Sequence, residues 1–319
     1  MTTFAEALWR ALLPCGLALW LAGCGWWEAD TPRFLVTGSL VDGAGQPVAG
    51  AVVTDGAAAT LSDDQGRYRL GVRRDMLAVS KPRCPRVSWK PVPGEQPVRT
   101  LAAREHPVRV GVDPRGDQAA FRGLRELLAR TTRLADWPGG HPGALDVLLL
   151  VTPRGWSGSE VGAVLRWVRG GGRLILCGEW GGYAGQDVET MRALAGPAGV
   201  DFGGGTVRTA AEDDFVVQVL RPAYQGLASA LGGRPVTLIG VTALSVGGEA
   251  RPLLVAPRGY VVLAEVGSRV VAAAGPLGLG KIIVLGDSSL WRDEDSTGSG
   301  QANLVLGGNS RLLEALLVW

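Results

Sequence analysis

Histidine is nearly absent from this sequence: the 319 residues hold two, His106 and His141. No cysteine or histidine pair falls at the spacing of a structural or catalytic zinc site, so metal binding of that kind is excluded and no cofactor is expected. A dominant charge is also missing. With 32 basic and 30 acidic residues the formal charge is +2, which lacks the basic footprint of a nucleic-acid binder. Cysteine is sparse: four residues, Cys15, Cys24, Cys84 and Cys177, are too few for a disulfide framework. Long apolar runs are absent as well. The most apolar segment, Ala11 to Trp20, and the closing pattern Asn309 to Trp319 are both too short to span a bilayer as a helix. What is plentiful is turn chemistry, with 48 Gly and 19 Pro, and tryptophan, with 11. The length suits two domains.

The stretch from Ala144 to Gly182 organises the second half of the chain. Asp146 to Val151 is a continuous apolar run of strand length, as in a parallel strand buried on both faces. Ser157 and Glu160 form an S-x-x-E capping box, and Val161, Val164, Leu165 and Val168 follow at helical spacing. Gly170 to Gly172 stop the helix, and Arg173 to Cys177 returns as the next buried strand. Such a unit is a crossover of a parallel sheet, whose ligand sites lie beyond the carboxyl ends of the strands. Cys177 sits at that edge, either as a nucleophile or as a small buried residue.

Arg10, the apolar run after it, and Leu21-Ala22-Gly23-Cys24 are similar to a bacterial lipoprotein signal with its lipobox. The resemblance implies cleavage before Cys24, lipid on Cys24 and attachment to a membrane. Gly25 after Cys24, in place of Asp, fits outer-membrane sorting in such lipoproteins. Residues 1–23 are then the signal peptide and 24–33 a lipidated tether.

Phe34 to about Leu101 reads as short alternating strands between turns such as Asp42 to Gly45 and Asp63 to Gly66, the pattern of a small β-sandwich. Gly38, Asp42, Pro47, Val48, Gly50, Ala51, Asp63, Gly66 and Tyr68 resemble the repeat of the carboxypeptidase-regulatory-like, transthyretin-like sandwich, with Ser62 in place of the usual Thr. That resemblance implies a structural or adhesive spacer over residues 34–104. The Asp residues read as turn formers, which bond their own backbone. Pro82 to Pro97, rich in proline, is a linker or a ragged last strand.

Residues 105–319 read as an α/β domain with a mainly parallel, flavodoxin-like layered sheet. Its expected elements are a strand over Val108 to Val112 and helices over Asp117 to Arg130 and Asp187 to Ala195. A β-rich stretch runs from Thr237 to Ala274, Gly280 to Asp287 closes the sheet, and a helix covers Asn309 to Trp319. Gly275 to Lys281 has the look of a phosphate loop but precedes a strand instead of opening a helix. The sequence DVLLLVTP, the helix ending WVRGGGRLIL, the later MRALAGPAGVDFG and the final GKIIVLGDS resemble, in that order, the DUF4350 group. That group is similar to the class I glutamine amidotransferase-like fold, also seen in accessory proteins of gliding-motility ABC transporters. The resemblance implies a nucleophilic Cys on a turn after a buried strand, with His and Glu later in the chain. Cys177 is near the corresponding place, yet both histidines precede it, and Gly is missing two residues after it.

Asp113 and Arg115, Thr152 and Arg154, Cys177 and Glu179, and Asp287 and Ser288 each follow an expected parallel strand and should converge on one edge. They form either an anion or peptide-carboxylate site or a set of caps and solvated arginines. The expected function is a non-catalytic envelope lipoprotein, with a degenerate amidotransferase-like domain that binds or scaffolds an envelope partner such as an ABC transporter or motility complex. The alternative is a cysteine-dependent amidase or hydrolase using Cys177.

Overall fold

The runs VLLLV and RLILC become neighbouring strands because every second side chain can be buried on each face of a central sheet. In the computed structural model the described residues are 32–81, 84, 86–102, 107–115, 119–179, 186–209, 215–219, 221–258, 260–263 and 268–319. The signal and lipobox expected at residues 1–24, His106, and the helix start at Asp117 lie outside them.

The first unit has eight strands: β1 (Phe34–Asp42), β2 (Val52–Thr54), β3 (Ala59–Leu61), β4 (Arg67–Val72), β5 (Leu77–Ser80), β6 (Val87–Trp89), β7 (Gly94–Glu95) and β8 (Arg99–Leu101). One sheet has β4, β1 and β7 in order with β8 also on β1; the other runs β3-β2-β5-β6. Val36, Leu40, Leu70 and Val72 from the first and Val53, Leu77, Val79 and Trp89 from the second share one core, so the sandwich pattern is realised. The proline-rich segment carries the chain from one sheet to the other, since β6 pairs with β5 and β7 with β1. Turn chemistry accounts for the acidic pairs. Asp42 accepts from the amides of Ala44 and Gln46, and Asp63 from those of Gln65 and Arg67.

The second unit holds a ten-stranded sheet flanked by helices. Its elements are β9 (Arg109–Val112), α1 (Arg122–Thr131), β10 (Arg133–Asp136), β11 (Val147–Val151), α2 (Gly158–Arg169), β12 (Arg173–Cys177), α3 (Val188–Ala195), β13 (Val200–Thr209), β14 (Val216–Val219), α4 (Gln225–Leu231), β15 (Val236–Ile239), β16 (Thr242–Val246), β17 (Arg251–Val255), β18 (Tyr260–Leu263), β19 (Val270–Leu277), β20 (Gly280–Leu285) and α5 (Asn309–Val318). The strand order is β10-β9-β11-β12-β20-β19-β16-β13-β18, with β17 also on β19.

Strands β10, β9, β11, β12 and β20 are parallel, whereas every pairing from β20 through β19 to β18 is antiparallel. The sheet is therefore mixed and not mainly parallel. The reason is loop length: Leu277 pairs with Gly280, and a two-residue turn at Gly278 and Leu279 leaves no room for a crossover. Gly278 takes φ +61° there. The glycine-rich Gly275–Lys281 segment is thus a hairpin, and β20 lies mid-sheet instead of closing it.

Other expectations shift in detail. The segment Thr237 to Val246 is two strands, broken where Gly240 takes φ +64°. The three glycines in β13 coincide with a register irregularity between Phe202 and Thr206. The first helix starts later than expected, at Arg122, after a 3-10 turn.

The alternation within the parallel strands builds two cores. Val147, Leu149, Ile175, Ile283 and Leu285 face α1 and α5, while Leu148, Leu150, Leu174, Leu176, Ile282 and Val284 face α2 and α3. The units are not independent in packing, because Val52 and Leu61 of the sandwich belong to the first of these cores. Tyr224 Oη donates to the Ser62 carbonyl at 3.0 Å and the Gly226 amide to Asp64 at 3.0 Å. Among the described residues no helix is long and apolar enough to cross a membrane.

Candidate functional site

The edge formed by the carboxyl ends of β9, β11, β12 and β20 carries the residues expected to converge, but they divide into two clusters. The first is built on Asp113. Its carboxylate, almost wholly buried, accepts from Arg115 Nε at 2.9 Å and from Trp156 Nε1 at 3.0 Å. Arg115 reaches on to Glu160 at 2.8 Å and lies 4.8 Å from the centroid of the Trp156 ring and 5.7 Å from that of Trp137. Burial works against the Arg115 charge, yet Asp113 and then Glu160 hold its pKa above the ordinary value. Glu160 also closes the capping box with Ser157 as expected, so the start of α2 is locked to the end of β9 through Arg115.

The second cluster is built on Glu179, Asp287, Ser288 and Cys177, all nearly or fully buried. Glu179 Oε1 accepts from Ser288 Oγ at 2.6 Å, from the Ser288 amide at 3.2 Å and from the Ser289 amide at 3.1 Å. Asp287 accepts from the Ser289 amide at 2.6 Å and hydroxyl at 2.5 Å, and from the Ile239 amide at 2.7 Å. A two-point amide clamp fixes the backbone before this: the Glu179 amide donates to Gln186 Oε1 at 2.7 Å and Gln186 Nε2 to the Glu179 carbonyl at 2.8 Å. Gly178 has no space for a side chain, since a Cβ would lie 2.7 Å from Gln186, Met191 and Phe202.

The electrostatics of this cluster favour protons over charge. Burial and then repulsion from Asp287 push the Glu179 carboxyl up, and burial pushes Asp287 up despite its hydrogen bonds. Burial, then Asp287 and Glu179, hold the Cys177 thiol well above its ordinary pKa. A nucleophilic thiol needs the reverse, an electropositive or basic neighbour. His141 cannot supply one. It lies beside Arg109 and Asp146, at the start of β9 and β11 and so at the opposite end of the sheet, about 13 Å away by the length of β12 alone. No disulfide joins Cys84 to Cys177.

Thr152 follows β11 with φ +45°, the one positive φ outside glycine among the described residues, and its amide donates to the Cys177 carbonyl at 2.9 Å. The strained backbone therefore sits beside Cys177 and not on it. Arg154, half-buried in the same loop, bonds to neither cluster. The structure thus unites Cys177, Glu179, Asp287 and Ser288, holds Asp113 with Arg115 separately, and leaves Arg154 apart. Sequence reasoning passed over Ser289, Gln186, Trp156 and Trp137. Trp137 directly follows β10, whereas Trp156 and Gln186 directly precede the N-caps of α2 and α3, and none of the four stands in a motif.

No curated protein matches the chain. Among solved structures, the mmIFT52 N-terminal domain superposes with a TM-score of 0.52 at 16% identity, over 66% of this chain and 96% of that one. Cytoplasmic protein STM3548 from Salmonella typhimurium gives a TM-score of 0.43 at 11% identity, over 66% and 97%. A β-galactosidase from Bacillus circulans gives 0.39 at 15%, over 66% of this chain and 31% of that one. The first likeness shows a shared fold and nothing more. Residues 112–317 match the model of DUF4350, a domain of unknown function, and the chain therefore belongs to the DUF4350 family.

Proposed function

We propose that this chain is a non-catalytic, lipid-anchored envelope protein, in which a degenerate amidotransferase-like unit binds or scaffolds a partner. Residues 1–23 serve as signal peptide, Cys24 carries the lipid, residues 24–33 form the tether, 34–104 a carboxypeptidase-regulatory-like spacer and 105–319 the binding unit. The partner is an envelope protein of the ABC-transporter or motility type, and the anchor lies in the outer membrane. One observation supports the non-catalytic reading most: Cys177 is fully buried, and burial, then Asp287 and Glu179, raise its pKa, with the described histidine at the far end of the sheet. A thiol so placed stays protonated and unreactive.

The test of catalysis is ammonia release from glutamine and from peptide amides by the full chain and by Cys177→Ala. Equal background rates are expected, and a rate that depends on Cys177 would replace this reading with the amidase one. The anchor is tested separately by fatty-acid labelling of the wild type and Cys24→Ser. Label should appear only in the wild type, and label persisting in the variant refutes lipidation at Cys24.

A further inference from the structure

The amino-terminal edge of the large sheet, opposite the carboxylate cluster, opens into a cleft of about 390 Å³ between the two units. Lys81 and Arg86 reach it from the sandwich, and Arg109, His141, Asp146 and Arg166 from the α/β unit. Among the described residues four cationic side chains thus meet one carboxylate, and Asp146 already accepts from the Arg109 amide at 3.0 Å and from its Nε at 3.5 Å.

More positive charge lies behind the wall. Arg173 is fully buried, with Nη1 donating to the Leu316 carbonyl at 2.6 Å and Nη2 to that of Trp319. Lys281 is also fully buried; its Nζ donates to the Gly50 carbonyl and lies 4.1 Å from the centroid of the Trp319 ring. Burial lowers Arg173 only to about 9, so its guanidinium keeps its charge, whereas burial and then Arg173 press Lys281 well below its ordinary value. The consequence reaches the cleft: burial and then Arg173 press Lys81 down to about 8. Low-dielectric walls lined by one sign of charge focus the field into the space they enclose.

We propose that this cleft binds a small multivalent oxyanion, a phosphate or sulfate group free or carried on a small ester, through Lys81, Arg86, Arg109 and Arg166. Guanidinium forks match tetrahedral oxyanions in geometry, and the volume admits such a group with a modest substituent. The amides at the end of α2 take no part, because those of Gly170, Gly171 and Gly172 are already bonded to carbonyls of Arg166, Trp167 and Val168. Since the cations come from both units, a bound oxyanion ties them together. The inference does not depend on whether Cys177 is inert.

Calorimetric titration of the full chain with sodium sulfate and with inorganic phosphate, at matched ionic strength against sodium chloride, tests it. Saturable binding of both oxyanions and not of chloride is expected. The exposed Arg86→Gln should weaken it about tenfold, the loss of one charge-assisted hydrogen bond, and Lys81→Met at least as much. Circular dichroism checks that each variant is folded, and Arg86→Gln decides the matter if Lys81→Met is not. Glycerol phosphate and dihexanoyl phosphatidylglycerol, titrated in parallel, distinguish a soluble ester from a lipid headgroup, and preference for either supports the site. Titrations indistinguishable from chloride, or oxyanion binding unchanged in Arg86→Gln, overturn it.

Discussion

Replacing Glu179 by Gln tests the electrostatics of the carboxylate cluster. In the fold the Glu179 carboxyl is raised from 4.5 to about 8, first by burial and then by Asp287. Between those two values the folded protein keeps a proton that the unfolded chain has lost. Folding then binds protons, so stability falls as pH rises from 4.5 toward 8, and below 4.5 the effect vanishes because both states are protonated. At about 1.4 kcal/mol per pH unit the full window bounds the effect at roughly 5 kcal/mol. Asp287 sits in the same desolvated space and shares the repulsion, so about 2 kcal/mol is assigned to Glu179 alone at pH 8. Gln can accept the same bonds from Ser288 and Ser289 and cannot ionise. Urea unfolding at pH 5, 6.5 and 8 should show Glu179→Gln near the wild type at pH 5 and more stable by about 2 kcal/mol at pH 8. A variant destabilised equally at every pH would refute the reasoning, because it would mean that Glu179 is ionised in the fold and held so by its three donors.

Arg115→Ala removes the ion pair with the nearly buried Asp113, which keeps its bond from Trp156 Nε1, and removes the guanidinium from the Trp156 ring; a loss of about 2 kcal/mol is expected in chemical denaturation. Gly286→Ala would place a Cβ 2.1 Å from the Thr242 carbonyl oxygen, a backbone atom that cannot step aside; a loss of about 3 kcal/mol and a lowered melting temperature should follow. Ser157→Ala opens the capping box of α2 and should cost about 1 kcal/mol, measurable by the same unfolding curves.

The parts of the fold that were legible are those whose signal is local. The S-x-x-E box marks the start of α2 to the residue, and the glycines after it mark its end. The apolar runs of β11 and β12 declare burial on both faces, and the residues after them share an edge, which is why Glu179, Asp287 and Ser288 were found together. Parallel and antiparallel strands, by contrast, bury the same residues. Only the two-residue turn between β19 and β20 separates the cases, and its glycines also have the spacing of a phosphate loop. Helix α4 was missed for want of a cap: Tyr224 precedes it and makes no side-chain cap bond. The basic cleft was out of reach for another reason. Lys81 and Arg86 lie some tens of residues before Arg109 and Arg166, in the other unit, and no periodicity links positions that meet only through tertiary packing.

The most direct test of the central claim is the alkylation rate of Cys177 in the native full chain at pH 7.5, followed with iodoacetamide and peptide mass spectrometry. The account predicts that Cys177 is modified only as the protein unfolds in urea, with half-buried Cys84 as the internal comparison in the same digest. Modification of Cys177 in the folded protein, at or above the rate of an unhindered cysteine, would contradict it and restore the thiol as a nucleophile.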